Sequence, residues 1–206
     1  MGCTMIRTIS SQVPAPRRSR PVVRVPGRQR GVTLAELSVV TALAAVLAAI
    51  GLPAMTDLVD AQRRISAVNR FVSSLQFARS EAIKRNARAV LCKSADGLQC
   101  TQAGDWEQGW IVFHDANNNA SVDAGETVPQ RHGALGGRLR LSGNQPVARY
   151  VSYSAAGTAR LLSGAFQAGS FVLCPGAGSR DRAVRRIVLS PTGRPRTVEG
   201  AASDCP

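Results

Sequence analysis

The sequence predicts an α+β protein in which a long N-terminal helix is followed by a head made of β-strands. Residues 32–55 form an apolar run, and residues 56–88 continue with apolar side chains at spacings of three and four. From residue 89 to residue 206 the pattern changes to short β-branched runs separated by Gly, Pro, Asn and Asp. A helix followed only by strands favours a sheet that packs against that helix.

Residues 32–55 are predicted to cross a membrane. Glu36 is the only ionisable side chain in this run, and a helix of this length spans the apolar core of a bilayer, which is about 30 Å thick. Residues 1–31 carry seven arginines and no acidic residue. The positive-inside rule therefore predicts a cytoplasmic N-terminus, with the head on the opposite side of the membrane.

The second half of the helix, residues 56–88, is predicted to pack on the head. Its apolar and small residues share one helical face: Leu58, Ala61, Ile65, Val68, Val72, Leu75, Ala78 and Ala82. Six segments of the head predict strands: 87–94, 109–114, 138–142, 147–154, 170–174 and 183–190. Trp110 and Phe113 in the second segment are predicted core residues, and Trp106 is expected beside them.

The composition restricts the classes of function. Lys and Arg total 26 against 13 acidic residues, and 44% of the chain is hydrophobic, which argues against a disordered protein. Aromatic residues make up only 4%, so a surface that stacks the bases of single strands is not expected. His114 and His132 have no Ser or Cys partner in a recognisable motif. The sequence therefore predicts no enzyme and no cofactor.

The cysteines favour an oxidising compartment. Cys3 lies in the basic leader, and the other four, Cys92, Cys100, Cys174 and Cys205, are widely spaced without a C-x-x-C pair. Two disulfides suit this pattern better than a zinc site does. Three pairings are possible, of which Cys92 with Cys100 and Cys174 with Cys205 requires the least rearrangement. Four unpaired, buried thiols are the alternative.

The junction between the leader and the apolar run is not explained by an ordinary signal peptide or a plain anchor, because Glu36 is costly inside a bilayer. The segment from Gly31 to Glu36, Gly-Val-Thr-Leu-Ala-Glu, resembles the prepilin signal of type IV pilins. The resemblance implies that a prepilin peptidase removes residues 1–31, cutting after Gly31, and methylates the new N-terminus at Val32. It also implies that Glu36 pairs with the amine of a neighbouring subunit, and that Pro53 occupies the usual helix-kinking position.

Three further motifs extend the resemblance into the head. They are Ser80-Glu81-Ala82-Ile83 with Arg85, Gly109-Trp-Ile-Val-Phe113 followed by Asp115, and Gly193-Arg194-x-Arg196. Their order is similar to that in minor pilins and pseudopilins of the GspH/FimT type. This resemblance implies a single-pass protein of the bacterial inner membrane with a periplasmic head, which later joins other pilins or pseudopilins through its N-terminal helix.

The segment from Asp115 to Glu126 has two interpretations. Its oxygen-bearing side chains fall at loop positions 1, 3, 5, 9 and 12, the spacing of an EF-hand calcium loop. Ala120, however, stands where that loop requires Gly, and no helices are predicted on either side. An Asx-rich turn between two strands is the alternative, and the sequence alone leaves a calcium-stabilised adhesin possible.

Six arginines are concentrated between residues 179 and 200: Arg180, Arg182, Arg185, Arg186, Arg194 and Arg196. In an extended chain, Arg194 and Arg196 point the same way and lie about 6.5–7 Å apart, on the scale of adjacent phosphates of one nucleic-acid strand. Their chemistry fits DNA phosphates, an exposed edge or a contact with the next subunit equally well.

The resemblance favours DNA. Gly193-Arg194-x-Arg196 looks like the motif with which FimT-type minor pilins bind DNA during natural transformation. It implies that Arg194 and Arg196 contact phosphates without sequence specificity, with Arg185 and Arg186 in support. The alternative is a GspH-type minor pseudopilin of the type II secretion system, which has a structural role in assembly and binds no DNA.

Overall fold

A computed structural model describes residues 31–136, 138–176 and 182–205, except for the side chains of residues 52–54. The leader upstream of Gly31, with Cys3, and Arg180 lie outside the described residues. The elements are one helix, α1 (Leu34–Arg85), and eight strands: β1 (Ala89–Lys93), β2 (Gly109–His114), β3 (Gln130–Gly133), β4 (Arg140–Gly143), β5 (Tyr150–Tyr153), β6 (Gly169–Cys174), β7 (Val184–Leu189) and β8 (Pro195–Gly200). The predicted α+β fold is confirmed.

Helix α1 has 52 residues, and both of its ends are capped. At the start, the Thr33 hydroxyl accepts the backbone N–H of Glu36 at 3.2 Å. At the end, Asn86 adopts a positive φ of 50°. The amides of Asn86 and Ala87 then donate to the carbonyls of Ile83 and Ala82, which is the Schellman pattern. The helix therefore ends three residues before the predicted Arg88.

The chain divides into two compact units, and the boundary falls within α1, after Ala44. In the first unit, the described residues 31–44 are all exposed. Helix α1 is long and apolar enough to cross a membrane, and its most apolar stretch makes no buried contact. Its apolar side chains are therefore available to lipid or to other helices.

The second unit, from Ala45, holds two antiparallel sheets. One has the strand order β3-β2-β1-β5 and the other β4-β6-β7-β8. Strands β3 and β8 were not predicted from the sequence. Both lie at a sheet edge, where a strand needs hydrogen bonds on one side only. Strands β1, β4, β5 and β7 are shorter than predicted. For β5 and β4 the reason is local, because residues 145–147 form a 3-10 turn and Arg138 has a positive φ of 57°.

The core lies between the second half of α1 and both sheets. Phe71 is fully buried at its centre and meets Trp106, Trp110 and Phe171 edge to face, with ring centroids 4.7–5.3 Å apart. The predicted core residues Trp110 and Phe113 are both fully buried. Phe71 was not among the predicted core residues of the helix. The predicted stripe ran through its neighbour Val72, which is only half-buried.

The predicted stripe is buried only in its later part. Leu75, Ala78 and Ala82 are fully buried, whereas Leu58 and Ile65 keep 55% and 44% of their surface exposed. The helix therefore contributes to the apolar core only from Ala67 onward. A second, smaller cluster around Val90, Ile111 and Phe113 lies on the other face of the first sheet.

Both disulfides of the local pairing are present. Cys92 is bonded to Cys100 across 8 residues, and Cys174 is bonded to Cys205 across 31 residues. The first bridge closes the loop after β1. The second ties the C-terminal segment to the end of β6, so the chain that follows β8 is held against the second sheet.

We expect the longer loop to stabilise the head more. In the chain-entropy account, closing loops of 8 and 31 residues is worth about 2.5 and about 3.5 kcal/mol. Replacing Cys174 and Cys205 together by Ser should therefore lower the free energy of unfolding in urea more than replacing Cys92 and Cys100. Alkylation of the native protein should label none of these four cysteines. Two labelled thiols would contradict the pairing.

Candidate nucleic-acid interface

The β7–β8 hairpin carries the arginines at the C-terminal end of the chain. Its tip runs from Ser190 to Arg194: the Gly193 amide donates to the Ser190 carbonyl at 2.9 Å, and the Ser190 amide donates to the Arg194 carbonyl at 3.2 Å. The Ser190 hydroxyl lies 2.8 Å from that of Thr192. Pro191 and Gly193 suit such a turn, because Gly193 has a φ of 76°.

Gly193 is needed for space as well as for its backbone conformation. A Cβ placed there would lie 2.3 Å from the Gly157 carbonyl oxygen and 3.0 Å from the Tyr153 ring. The same Gly157 carbonyl accepts a hydrogen bond from Arg79 Nε of α1 at 2.8 Å. The hairpin tip is therefore seated on a turn that is itself bonded to the helix, and this positions Arg194.

Arg194 and Arg196 are both exposed. Arg196 pairs with Val188 across the hairpin, whereas Pro195 pairs with Leu189, a buried core residue. Arg196 therefore lies on the face of the sheet turned away from the core. Within the described ranges, neither guanidinium group forms an ion pair, so both are available to an anionic ligand.

Arg185 and Arg186 are placed differently. Arg185 lies 3.0 Å from the carboxylate of Glu199, its cross-strand partner. Arg186 forms an ion pair with Asp204, and backbone hydrogen bonding from Ala201, together with Arg186, lowers the pKa of the Asp204 carboxyl. The structure does not bring these two arginines together with Arg194 as free cations, because each already has a carboxylate partner.

The loop from Asp115 to Glu126 uses its carboxylates for its own backbone. Asp115 is buried and accepts the amides of Asn119 and Ala120, both at 3.0 Å. The Glu126 carboxylate accepts the amides of Ala116 and Asp123 at 2.8 and 3.1 Å. Among the described residues, no group of His, Cys, Asp and Glu has the arrangement of a metal site. These contacts favour the Asx-rich turn.

Glu81 and His114 connect the helix to the first sheet. His114 Nε2 lies 3.0 Å from the Glu81 carboxylate, and Arg85 Nε donates to the same carboxylate at 3.2 Å. The hydrogen bond with His114, followed by that with Arg85, lowers the pKa of Glu81 against the opposing effect of burial. His114 also contacts the Thr127 hydroxyl. His114 thereby links strand β2 to helix α1 and to the loop before β3.

The residues of the N-terminal signal are exposed at the start of the described chain. Gly31 and Val32 precede the helix, and Glu36 lies in its first turn. Apart from the hydrogen bond between Thr33 and the Glu36 backbone, the described residues make no contact with these three that tests a role in processing.

Comparison with known proteins identifies the family. The family model described as Type II transport protein GspH matches residues 67–193. The chain belongs to this family. The match covers the packed half of α1 and most of the head, and it ends at Gly193. Arg194 and Arg196 therefore lie immediately beyond it. No curated protein matches the chain in sequence.

Solved structures of GspH-like proteins resemble the chain at low sequence identity. The type IV minor pilin FimU of Pseudomonas aeruginosa is 19% identical, with a TM-score of 0.49 over 68% of this chain and 90% of its own. The minor pseudopilin EpsH of the Vibrio cholerae type 2 secretion system is 12% identical, with a TM-score of 0.46 over 66% and 97%. The assignment of the chain to the GspH family rests on the family model.

Sequence reasoning noted Glu199 among the arginines but did not predict which carboxylates pair with which arginines. Glu199 is 14 residues from Arg185, and only the register of the hairpin brings the two together. Strand β8 could have been suggested by Thr197 and Val198, which are β-branched. Asp204 could not, because its position depends on the disulfide at Cys205.

We expect Glu81 to make the stability of the head depend on acid pH. Since the folded-state pKa of Glu81 is lowered from 4.5, its contribution is present above about pH 4.5 and is lost as the pH falls through the lower, folded value. In Glu81→Gln this loss cannot occur. The difference in unfolding free energy between wild type and variant should shrink from pH 5 to pH 3 in urea titrations. A difference that stays constant would contradict this assignment.

Proposed function

We propose that this protein is a minor type IV pilin that binds extracellular DNA through Arg194 and Arg196 for uptake in natural transformation. The observation that carries the proposal is the pair of exposed, unpaired guanidinium groups on the anchored β7–β8 hairpin. Guanidinium binds phosphate through two parallel hydrogen bonds. Contacts of this kind read no base, so binding is indifferent to sequence.

The position of the hairpin supports the proposal. Strand β8 is an edge strand, so a long rod such as duplex DNA can approach it without meeting another strand of the same sheet. Gly193 fixes the tip against the Gly157 turn, which limits the ordering cost on binding. Arg185 and Arg186 are proposed as secondary contacts, because a phosphate must compete there with Glu199 and Asp204.

The structural alternative is a minor pseudopilin of type II secretion. The match to the type II transport family supports it. In that case Arg194 and Arg196 contact acidic groups of the next subunit in the filament, and the protein binds no DNA. Both functions require assembly with other pilins. They differ in what binds to the arginines of the hairpin.

The arrangement in the cell is also a proposal. Residues 1–31 are a leader removed by prepilin peptidase, residues 32–55 span the inner membrane, residues 56–88 continue the helix and residues 89–206 form a periplasmic head. The exposed apolar surface of the first half of α1 supports this. After extraction from the membrane, the same surface packs against the helices of other pilins.

Processing can be tested at Gly31. Because the peptidase is proposed to cut after this residue, Gly31→Glu should leave the protein in the membrane, heavier by the mass of the leader. Intact-mass measurement of the wild-type protein should find a chain that begins at Val32 and carries one additional methyl group. A mature chain that begins elsewhere would contradict the proposal.

The arginines can be tested with a soluble chain that begins at Asp57. It should bind duplex DNA of any sequence at micromolar concentrations, with a log–log salt slope of about −0.9 for each phosphate neutralised. Changing Arg194 and Arg196 together to Gln should flatten the slope by about two units. The control, Arg63→Gln with Arg131→Gln, removes the same charge from exposed sites elsewhere and should change binding little.

The same variants separate the two functions in cells. The Arg194→Gln, Arg196→Gln variant should abolish transformation while pilus assembly and protein secretion continue. Unchanged DNA binding in this variant, or a secretion defect with intact DNA uptake, would favour the pseudopilin instead.

A further inference from the structure

A groove of about 490 Å³ lies between helix α1 and the start of strand β8. Its lining residues are Gln76, Arg79, Ser80, Ile83, Arg194 and Pro195. We propose that this groove binds a phosphodiester of the DNA backbone, held by Arg79 from the helix and Arg194 from the hairpin. This inference rests on the proposed function and extends the DNA-binding surface from β8 onto α1.

The helix presents a polar stripe to the groove. Gln76, Arg79, Ser80 and Ile83 follow one another at helical spacings, so they share one side of α1. All except the half-buried Arg79 are exposed. Among the described residues, no acidic side chain lines the groove. The acid nearest in sequence, Glu81, is buried and bound to His114 and Arg85, so it does not oppose an anion in the groove.

Arg79 is oriented before any ligand arrives. Its Nε donates to the Gly157 carbonyl at 2.8 Å, and in the described part of the chain its two terminal amino groups have no hydrogen-bond partner. A guanidinium held by Nε keeps its outer edge free, and a phosphate can accept from that edge. Because the side chain is already half-buried and fixed, little rotamer entropy is lost on binding.

Arg79 and Arg194 are held in place by the same turn. The Gly157 carbonyl oxygen that accepts from Arg79 would lie only 2.3 Å from a Cβ added to Gly193, so the Gly193 backbone passes close to it. Arg194 follows Gly193 directly in the chain. Gly157 in turn packs on helix α1, since a Cβ added to Gly157 would lie 2.7 Å from the Ile83 side chain. The two arginines therefore border one groove, on backbone segments that meet at the same turn.

The groove has the size and polarity that a nucleic-acid backbone requires. Its volume falls within the range of about 300–1,000 Å³ of small-molecule sites, which accommodates a phosphate with its sugar. Gln76 offers a side-chain amide donor at the rim.

Introducing a negative charge without removing an anchor provides the first test. In the full chain, purified in uncharged detergent, Gln76→Glu places a carboxylate beside Arg79 and leaves the Arg79–Gly157 bond intact. We expect duplex DNA affinity to fall several-fold. The matched control is Gln62→Glu, an exposed glutamine of the same helix that lines a different groove, which should change the affinity less than twofold. The leader contributes equally to every variant.

Removal of the guanidinium provides the second test. Arg79→Gln should flatten the log–log salt slope by about 0.9, the effect of one phosphate contact. Its matched control is Arg131→Gln, because Arg131 Nε likewise donates to a turn glycine, Gly97, at 2.9 Å. That variant loses the same kind of bond and the same charge, and its slope should not change. Thermal melting checks that both variants remain folded.

The outcomes separate this inference from the proposed function. If Arg194→Gln with Arg196→Gln weakens DNA binding but Gln76→Glu and Arg79→Gln behave like their controls, DNA binding stands and the groove is not part of it. If the double variant has no effect on binding, the proposed function fails. If Gln62→Glu or Arg131→Gln weakens binding as much as its partner, net charge alone accounts for the effect and the groove assignment is overturned.

Discussion

The packing of Phe71 against aromatic rings from both sides of the head is the contact on which the rest of the second unit depends. Trp110 lies in the first sheet, Phe171 lies in the second, and Trp106 belongs to the connection between β1 and β2. A single helical side chain thereby joins two sheets that share no strand. Truncating such a residue typically costs about 3–5 kcal/mol, so the relative placement of helix and sheets depends largely on this one site.

This packing also determines which helix residues face outward. With Phe71, Leu75, Ala78 and Ala82 buried, the helical period of 3.6 residues turns Gln76 and Ser80 toward solvent and leaves Arg79 at the boundary. Arg79 can therefore reach the Gly157 carbonyl with Nε while its outer edge remains near the surface. The helix thus contributes to the hairpin's position and to its chemistry through the same residue.

The sequence was sufficient for the elements whose signals are local. The apolar period predicted the helix, β-branched runs predicted the central strands, and the spacing of the cysteines favoured the bridges that the structure contains. The sequence suggested an extended segment at Arg194–Arg196 but no paired strand, because β8 begins with Pro195, which cannot donate a backbone hydrogen bond. At a sheet edge this residue is tolerated, since only one side of the strand is paired.

The candidate site was predictable only in part, because partners distant in sequence decide which charges are free. All the C-terminal arginines look alike in the sequence, yet the hairpin register gives Arg185 to Glu199, and the disulfide at Cys205 brings Asp204 to Arg186. Arg79 gave no signal either, since it lies more than a hundred residues from Arg194 and its relevance depends on the Gly157 turn. A local motif can identify a loop, but it cannot show which distant side chains neutralise the charges on that loop.

The formal charge of +13 is therefore a poor measure of how strongly this protein binds a polyanion. Seven of these positive charges belong to the arginines of residues 1–31, the proposed leader, and an arginine in a surface ion pair contributes little to attraction at a distance. The proposed site draws on only a few of the remaining guanidinium groups, those on an edge strand and on the adjoining helix. Proline and exposed charge at an edge also prevent strands of neighbouring molecules from pairing there. The residues that prevent β8 from pairing with a further strand thus leave its arginines accessible. A phosphate backbone can bind them, because it needs no strand pairing.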